Sequence, residues 1–141
     1  LTKEKIIQTF LPLPDYLESM RCLDKSRLGN QVWREGITLI RGGWPNHPAS
    51  KMWKGHEYHL GLYLLEGCKV LAERGKSYPE VVKRIEAEMA KHTNTGPPKW
   101  LGSDSFHASH RSALLRKNLI WYKQFNWTEP TDLPYVWPSN L

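Results

Sequence analysis

Between Ala49 and Glu73 the apolar residues recur every three to four positions: Met52, Trp53, Leu60, Tyr63, Leu64, Cys68 and Leu71, with His56 in the same register. That spacing predicts one long helix with a continuous buried stripe. Such a stripe needs other elements laid against it, so this stretch is expected to be the central core helix. Arg74-Gly75-Lys76-Ser77 ends it. Shorter helical patterns flank it. Pro14-Asp15 can open a helix to about Cys22, with Tyr16, Leu17 and Met20 facing inward. A second pattern runs from Leu23 to about Ile40 and a third from Pro79 to about Lys91, the latter with Val81, Val82, Ile85 and Met89 as its apolar set. Ser103, Asp104 and Ser105 offer capping oxygens for a helix running to Lys117, and 121–125 either continues it or forms a separate short helix. No stretch alternates convincingly as a strand. The expectation is an all-α chain: one compact helical domain over residues 1–141, with an extended arm over residues 1–13 and a proline-rich C-terminal tail that Tyr135 and Trp137 pin to the core.

The formal net charge is +6, from 20 basic and 14 acidic side chains. That balance favours a polyanionic partner but does not by itself name one. Several of the seven tryptophans and six tyrosines sit beside cations, as in Lys51-Met52-Trp53-Lys54, Pro98-Lys99-Trp100 and Trp121-Tyr122-Lys123. Aromatic rings beside cations combine stacking surface with phosphate contacts; the plainer reading is ordinary core tryptophan. Cys22 and Cys68 are far apart and in no CxxC spacing, which predicts free, buried thiols of an intracellular protein. No leader pattern and no apolar run of membrane-spanning length is present, so a soluble cytoplasmic monomer is expected.

Two places carry candidate chemistry. On a helix, His107, His110, Arg111 and Leu114 share one stripe. Two imidazoles and a guanidinium make a poor core face and suit a surface that meets an anion. The alternative is that the histidines are hydrogen-bonded residues at the core edge. Asp24 stands at a helix start, one turn ahead of Arg27, with Gln31 a further turn on. It reads either as a functional carboxylate or as a helix N-cap. The pairs His56/His59 and His107/His110 raise zinc as a third reading, but neither makes HExxH spacing and no cysteine joins them. There is no GxSxG, Walker loop or dinucleotide fingerprint.

Asp24-Lys25-Ser26-Arg27 at a helix start, Gly55-His56 in the middle and Trp121-Tyr122-Lys123 near the end resemble, in that order, the pyrimidine-dimer DNA glycosylases of the phage endonuclease V family. The stretches 8–12 (QTFLP), 23–29 (LDKSRLG), 107–112 (HASHRS) and 133–138 (LPYVWP) resemble a bacterial and phage branch of that superfamily. The resemblance implies a compact helical domain that bends DNA and flips a nucleotide. It implies an N-terminal amine that displaces the base through a Schiff base, followed by β-elimination, and a carboxylate that stabilises positive charge on the sugar. Asp24 matches the catalytic carboxylate, a glutamate in that family, and Leu1 supplies the amine if it is the mature terminus. Lys3 or Lys5 is the substitute if it is not. A family histidine upstream of the carboxylate falls near Leu17, and the histidine stripe is an addition.

The expected function is thus a cofactor-independent DNA glycosylase with AP lyase activity, acting on double-stranded DNA with a damaged or modified pyrimidine, in the cytoplasm of a phage host or bacterium. Asp24 and Leu1 are the catalytic candidates. Arg27, Gln31, Lys51, Lys54, His107, His110, Arg111, Lys117, Trp121, Tyr122 and Lys123 are the DNA-binding ones. The alternatives are a non-catalytic DNA-binding protein of the same fold and, more weakly, a nuclease using histidine-bound metal.

Overall fold

The computed structural model describes residues 7–138, and within them the secondary structure is helical with no strand. The elements are α1 (Tyr16–Cys22), α2 (Lys25–Asn30), α3 (Gly36–Ile40), α4 (Pro48–Trp53), α5 (Glu57–Glu73), α6 (Pro79–Met89), α7 (Asp104–Lys117) and α8 (Leu119–Tyr122). A π turn, Gln31–Glu35, joins α2 to α3 without a break, and a 3₁₀ turn, Lys123–Phe125, follows α8.

α5 is the centre, as its stripe requires: α1, α6, α3 and the π turn all pack on it. Two glycines let them come close. A Cβ at Gly61 would stand 2.1 Å from Met89 of α6, and one at Gly67 would stand 2.6 Å from Val32 of the π turn. The single helix expected from Ala49 to Glu73 is in fact two. The chain breaks at Lys54-Gly55-His56, where Gly55 takes φ +85°, and the apolar spacing merely resumes in phase afterwards. The helices expected around 16–22, 23–40, 79–91 and 103–117 are present. Ser103 occupies the N-cap of α7 but makes no side-chain capping bond.

Residues 7–12 are extended, as expected, yet they are not a peripheral arm. Every residue from Ile7 to Pro12 is buried. An extended segment inside a helical core has no ladder to satisfy its backbone, so side chains must do it. Gln31 accepts from Phe10 N–H at 2.9 Å and donates to the Gln8 carbonyl at 2.8 Å. Tyr63 donates to the Phe10 carbonyl at 2.6 Å, and Trp53 Nε1 donates to Thr9 Oγ1 at 3.0 Å. Residues 1–6, with Leu1, Lys3 and Lys5, lie outside the described residues.

The tail lies along α7. Ser112 donates to the Pro130 carbonyl at 2.6 Å and accepts from Leu133 N–H at 3.0 Å, and Ser109 accepts from Val136 N–H at 3.1 Å. Tyr135 meets the His110 ring edge-on at 5.8 Å and Trp137 meets His47 at 5.9 Å, so both aromatics pin the tail. Among the described residues no helix is long and apolar enough to cross a membrane.

Candidate nucleic-acid interface

The stripe of α7 turns inward. His107 is 2% exposed and His110 is not exposed at all. Leu11 N–H donates to His110 Nδ1 at 2.9 Å, so the remaining hydrogen of a neutral ring sits on Nε2. His107 Nε2 accepts from Gly102 N–H at 2.9 Å, which leaves Nδ1 to donate to the Leu11 carbonyl at 2.7 Å. The two imidazoles therefore clamp both polar groups of one buried peptide residue. Burial pushes His110 down to about 3 and holds His107 below the ordinary histidine value. Arg111 chelates Glu129 at 2.9 and 3.0 Å and donates to the Pro12 carbonyl at 2.8 Å. The expectation that His107, His110 and Arg111 face DNA is corrected: they seat the two extended segments. Gln31, 1% exposed and spent on Gln8, Phe10 and Tyr63, is corrected in the same way.

Histidine pairing fares likewise. His56 Nδ1 lies 3.1 Å from the Gly96 carbonyl, while His59 Nδ1 lies 3.0 Å from the Tyr16 hydroxyl. Among the described residues no group of three or more His, Cys, Asp or Glu side chains is placed to hold a metal ion.

Asp24 departs from the capping reading of its sequence position. It stands at the N-cap of α2, yet its side chain makes no capping bond. Oδ1 accepts from the Tyr122 hydroxyl at 2.5 Å and Oδ2 from Arg27 at 3.1 Å. The Tyr122 oxygen in turn accepts from Asp24 N–H at 3.0 Å. Burial, then the hydrogen bond to Asp24, holds the Tyr122 phenol far above its ordinary value, so it stays a donor. Tyr122, fully buried, therefore orients Asp24 and does not itself meet DNA, which corrects its expected role.

Beyond Asp24, itself 6% exposed, opens a cavity of about 1040 Å³ bounded by α2, the π turn, the end of α5, the 74–78 loop and α8. Its walls are aromatic. Trp33 is 44% exposed and meets Tyr78 edge-on at 4.1 Å. Trp121, anchored by its indole N–H to the Cys22 carbonyl at 2.7 Å, carries the Arg74 guanidinium 5.8 Å from its ring. Lys25, Arg34 and Lys76 stand around the same opening, and among the described residues none of the three has a carboxylate partner. Leu28 and Leu71 contribute apolar lining. A space of this kind offers flat apolar faces for a base and cations for its phosphates.

Of the other expected contacts, Arg27 is partly exposed beside Asp24, and Lys117 and Lys123 are exposed at the end of α7 and on the 3₁₀ turn. Lys51 and Lys54 line a separate cavity of about 420 Å³, shared with Glu57 and Glu88, that has no lining residue in common with the larger one. The structure thus gathers Asp24, Arg27 and Trp121 and sets Lys51 and Lys54 apart. Trp33, Arg34, Arg74, Lys76 and Tyr78 were missed. Trp33-Arg34 and Lys76-Ser77-Tyr78 carry the same aromatic-beside-cation signal as the motifs that were singled out.

A family model for pyrimidine dimer DNA glycosylase matches residues 7–84, more than half of the 141-residue chain. The chain belongs to that family. No curated protein and no solved structure matches it. The part matched as a pyrimidine dimer DNA glycosylase contains the buried segment from Ile7, the helices α1 to α5, Asp24, and every residue named above for the larger cavity except Trp121. α7 and the tail lie beyond it.

Proposed function

We propose that the cavity beside Asp24 receives a damaged or modified pyrimidine nucleotide drawn out of duplex DNA, and that the protein excises its base and then nicks the strand. The observation that carries this is the junction of two unlike environments. A carboxylate fixed by Tyr122 and Arg27 opens onto an aromatic-walled, cation-rimmed space large enough for a nucleotide. As the glycosidic bond breaks, positive charge grows on the sugar, and a preorganised carboxylate stabilises it without having to move. Trp33, Tyr78 and Trp121 supply the faces on which an extruded base stacks; Lys25, Arg34 and Lys76 offset the flanking phosphates. An uncharged amine attacks C1′ and the base leaves with the bonding electrons and takes up a proton; the C1′–O4′ bond then opens, O4′ gaining a proton as the nitrogen lone pair forms the imine, and the imine permits β-elimination of the 3′ phosphate.

A second reading, DNA binding without catalysis, is favoured by one fact: both Asp24 oxygens already have partners, one of them a guanidinium. Asp24→Asn separates the two. The amide keeps an acceptor for Tyr122 and loses the negative charge. On ultraviolet-irradiated duplex, glycosidic-bond cleavage by the variant, read as alkali-labile strand breaks because the cut base stays joined to its neighbour in a dimer, should fall by about a hundredfold or more, with DNA affinity by fluorescence anisotropy within about twofold of the parent protein. Equal cleavage by parent and variant removes Asp24 from the chemistry. Binding with no cleavage by the parent itself leaves the non-catalytic reading.

A further inference from the structure

Among the described residues three large apolar side chains are exposed: Trp33, Leu119 at 56% and Ile120 at 83%. Scattered singly, such residues need no explanation, because much of any protein surface is apolar. These three are not scattered. Trp33 is a wall of the cavity beside Asp24, and Leu119-Ile120 is the step between Asn118 and Trp121, both of which line that cavity. Consecutive Cα atoms are about 3.8 Å apart, so the pair stands at the cavity's edge.

The pair is also held in place. α8 is four residues long, and its second half is fastened to the site. The Trp121 indole donates to the Cys22 carbonyl, and the Tyr122 hydroxyl donates to Asp24 and accepts from its N–H. Asn118 caps the helix by accepting from Trp121 N–H at 3.2 Å. Successive helical residues turn by about 100°, so Ile120 lies across the helix from buried Tyr122 and projects into solvent. Its branched Cβ makes it stiff at the first torsion, which lessens the entropy lost if something covers it.

Drawing a nucleotide out of a duplex opens a gap in the base stack. An apolar side chain wedged into that step replaces the lost stacking and kinks the DNA. The surroundings of Leu119 and Ile120 favour DNA over a second copy of this chain. Arg116, Lys117 and Lys123 are exposed within three residues of the pair. Two such faces repel each other, whereas a phosphate backbone is attracted. We propose that Leu119 and Ile120 form a wedge that enters the base stack beside the extruded nucleotide, kinking the duplex and holding the gap open. This rests on the excision reading above and adds the contact that keeps the nucleotide out.

The test uses the full chain and a duplex with one pyrimidine dimer and a 2-aminopurine in the adjoining base pair, whose fluorescence rises as it unstacks. The parent protein should bind this duplex and raise the fluorescence. The double variant Leu119→Ser/Ile120→Ser and the milder Ile120→Ser remove apolar surface and no charge. The double variant should weaken anisotropy-measured binding by about tenfold or more and lose most of the fluorescence rise. Its salt slope and the protein's melting temperature should not move, because neither a cation nor a buried contact is removed. Ile120→Leu should match the parent. With the bases opposite the dimer left unpaired, little stacking remains to be broken, and the double variant should come within about threefold of the parent. Equal binding and fluorescence for parent and both serine variants overturn the wedge and leave the excision reading standing. Cleavage by the parent with no fluorescence rise does the same, as does a parent dimer that the substitutions dissociate without changing DNA binding. A parent that neither cleaves nor unstacks this duplex overturns both readings.

Discussion

Acid should unlock α7 before it affects most of the surface. His110 is wholly buried and its Nδ1 is committed to Leu11 N–H, so the folded protein takes up its proton only near pH 3, against 6.5 for an ordinary imidazole. Between those values the unfolded chain holds the proton and the folded chain does not, so stability is fully present above pH 6.5 and falls as pH drops toward 3. At pH 5 the unfolded imidazole is about 1.5 units below its midpoint, and at about 1.4 kcal/mol per unit the loss is about 2 kcal/mol. His107, shifted in the same direction, adds to it. Domains of this size have about 5–15 kcal/mol in total, so the change is easily read. The assay is urea unfolding at pH 7.5 and pH 5.0 for the parent and for His110→Gln, whose amide oxygen can still accept from Leu11. The parent should lose about 2 kcal/mol more than the variant between the two pH values. Equal losses would refute the claim that a neutral, buried His110 holds this joint.

Two further outcomes follow from the same geometry. Arg111→Ala removes a chelated Glu129 and a bond to Pro12, and should lower stability by about 1.5–3 kcal/mol in urea unfolding, while DNA affinity and its salt slope stay unchanged because the guanidinium faces inward. Trp33→Ala, at an exposed ring of the cavity wall, should weaken anisotropy-measured binding of lesion-bearing duplex by about 1–3 kcal/mol and leave the melting temperature almost unmoved.

Most of the helices were legible because burial on α5, α6 and α7 imposes a spacing that survives in the sequence. The break at Gly55 was hidden because the apolar phase before it, at Met52 and Trp53, is regained after it at Leu60 and Tyr63. Of the two readings the histidine stripe allows, a surface that meets an anion and hydrogen-bonded residues at the core edge, the structure has the second. A row of polar side chains on a helix needs something polar to meet, and a buried peptide segment satisfies that need as well as a phosphate does; only the position of residues 7–12 decides. Asp24 shows the converse. Its place invited a capping bond, but Tyr122, ninety-eight residues later, takes the carboxylate instead. The cavity was illegible because its walls come from α2, the π turn, the end of α5 and α8, and no local pattern records that they converge.

Among the described residues, the side-chain hydrogen bonds that join the two ends of the chain close its longest loops. Leu11 to His110, Pro12 to Arg111 and Cys22 to Trp121 each span ninety-nine residues. Closing such loops is entropically slow, and their reward arrives only when almost all of the intervening chain is in place. A helical protein would ordinarily fold from local contacts outward; this one must wait for its two halves to find each other before Asp24 has its tyrosine or Leu11 its histidines. Partly folded chains, during synthesis or after local opening, would then have helices but no fixed carboxylate. A member of a DNA glycosylase family would thereby be harmless until the last contacts close.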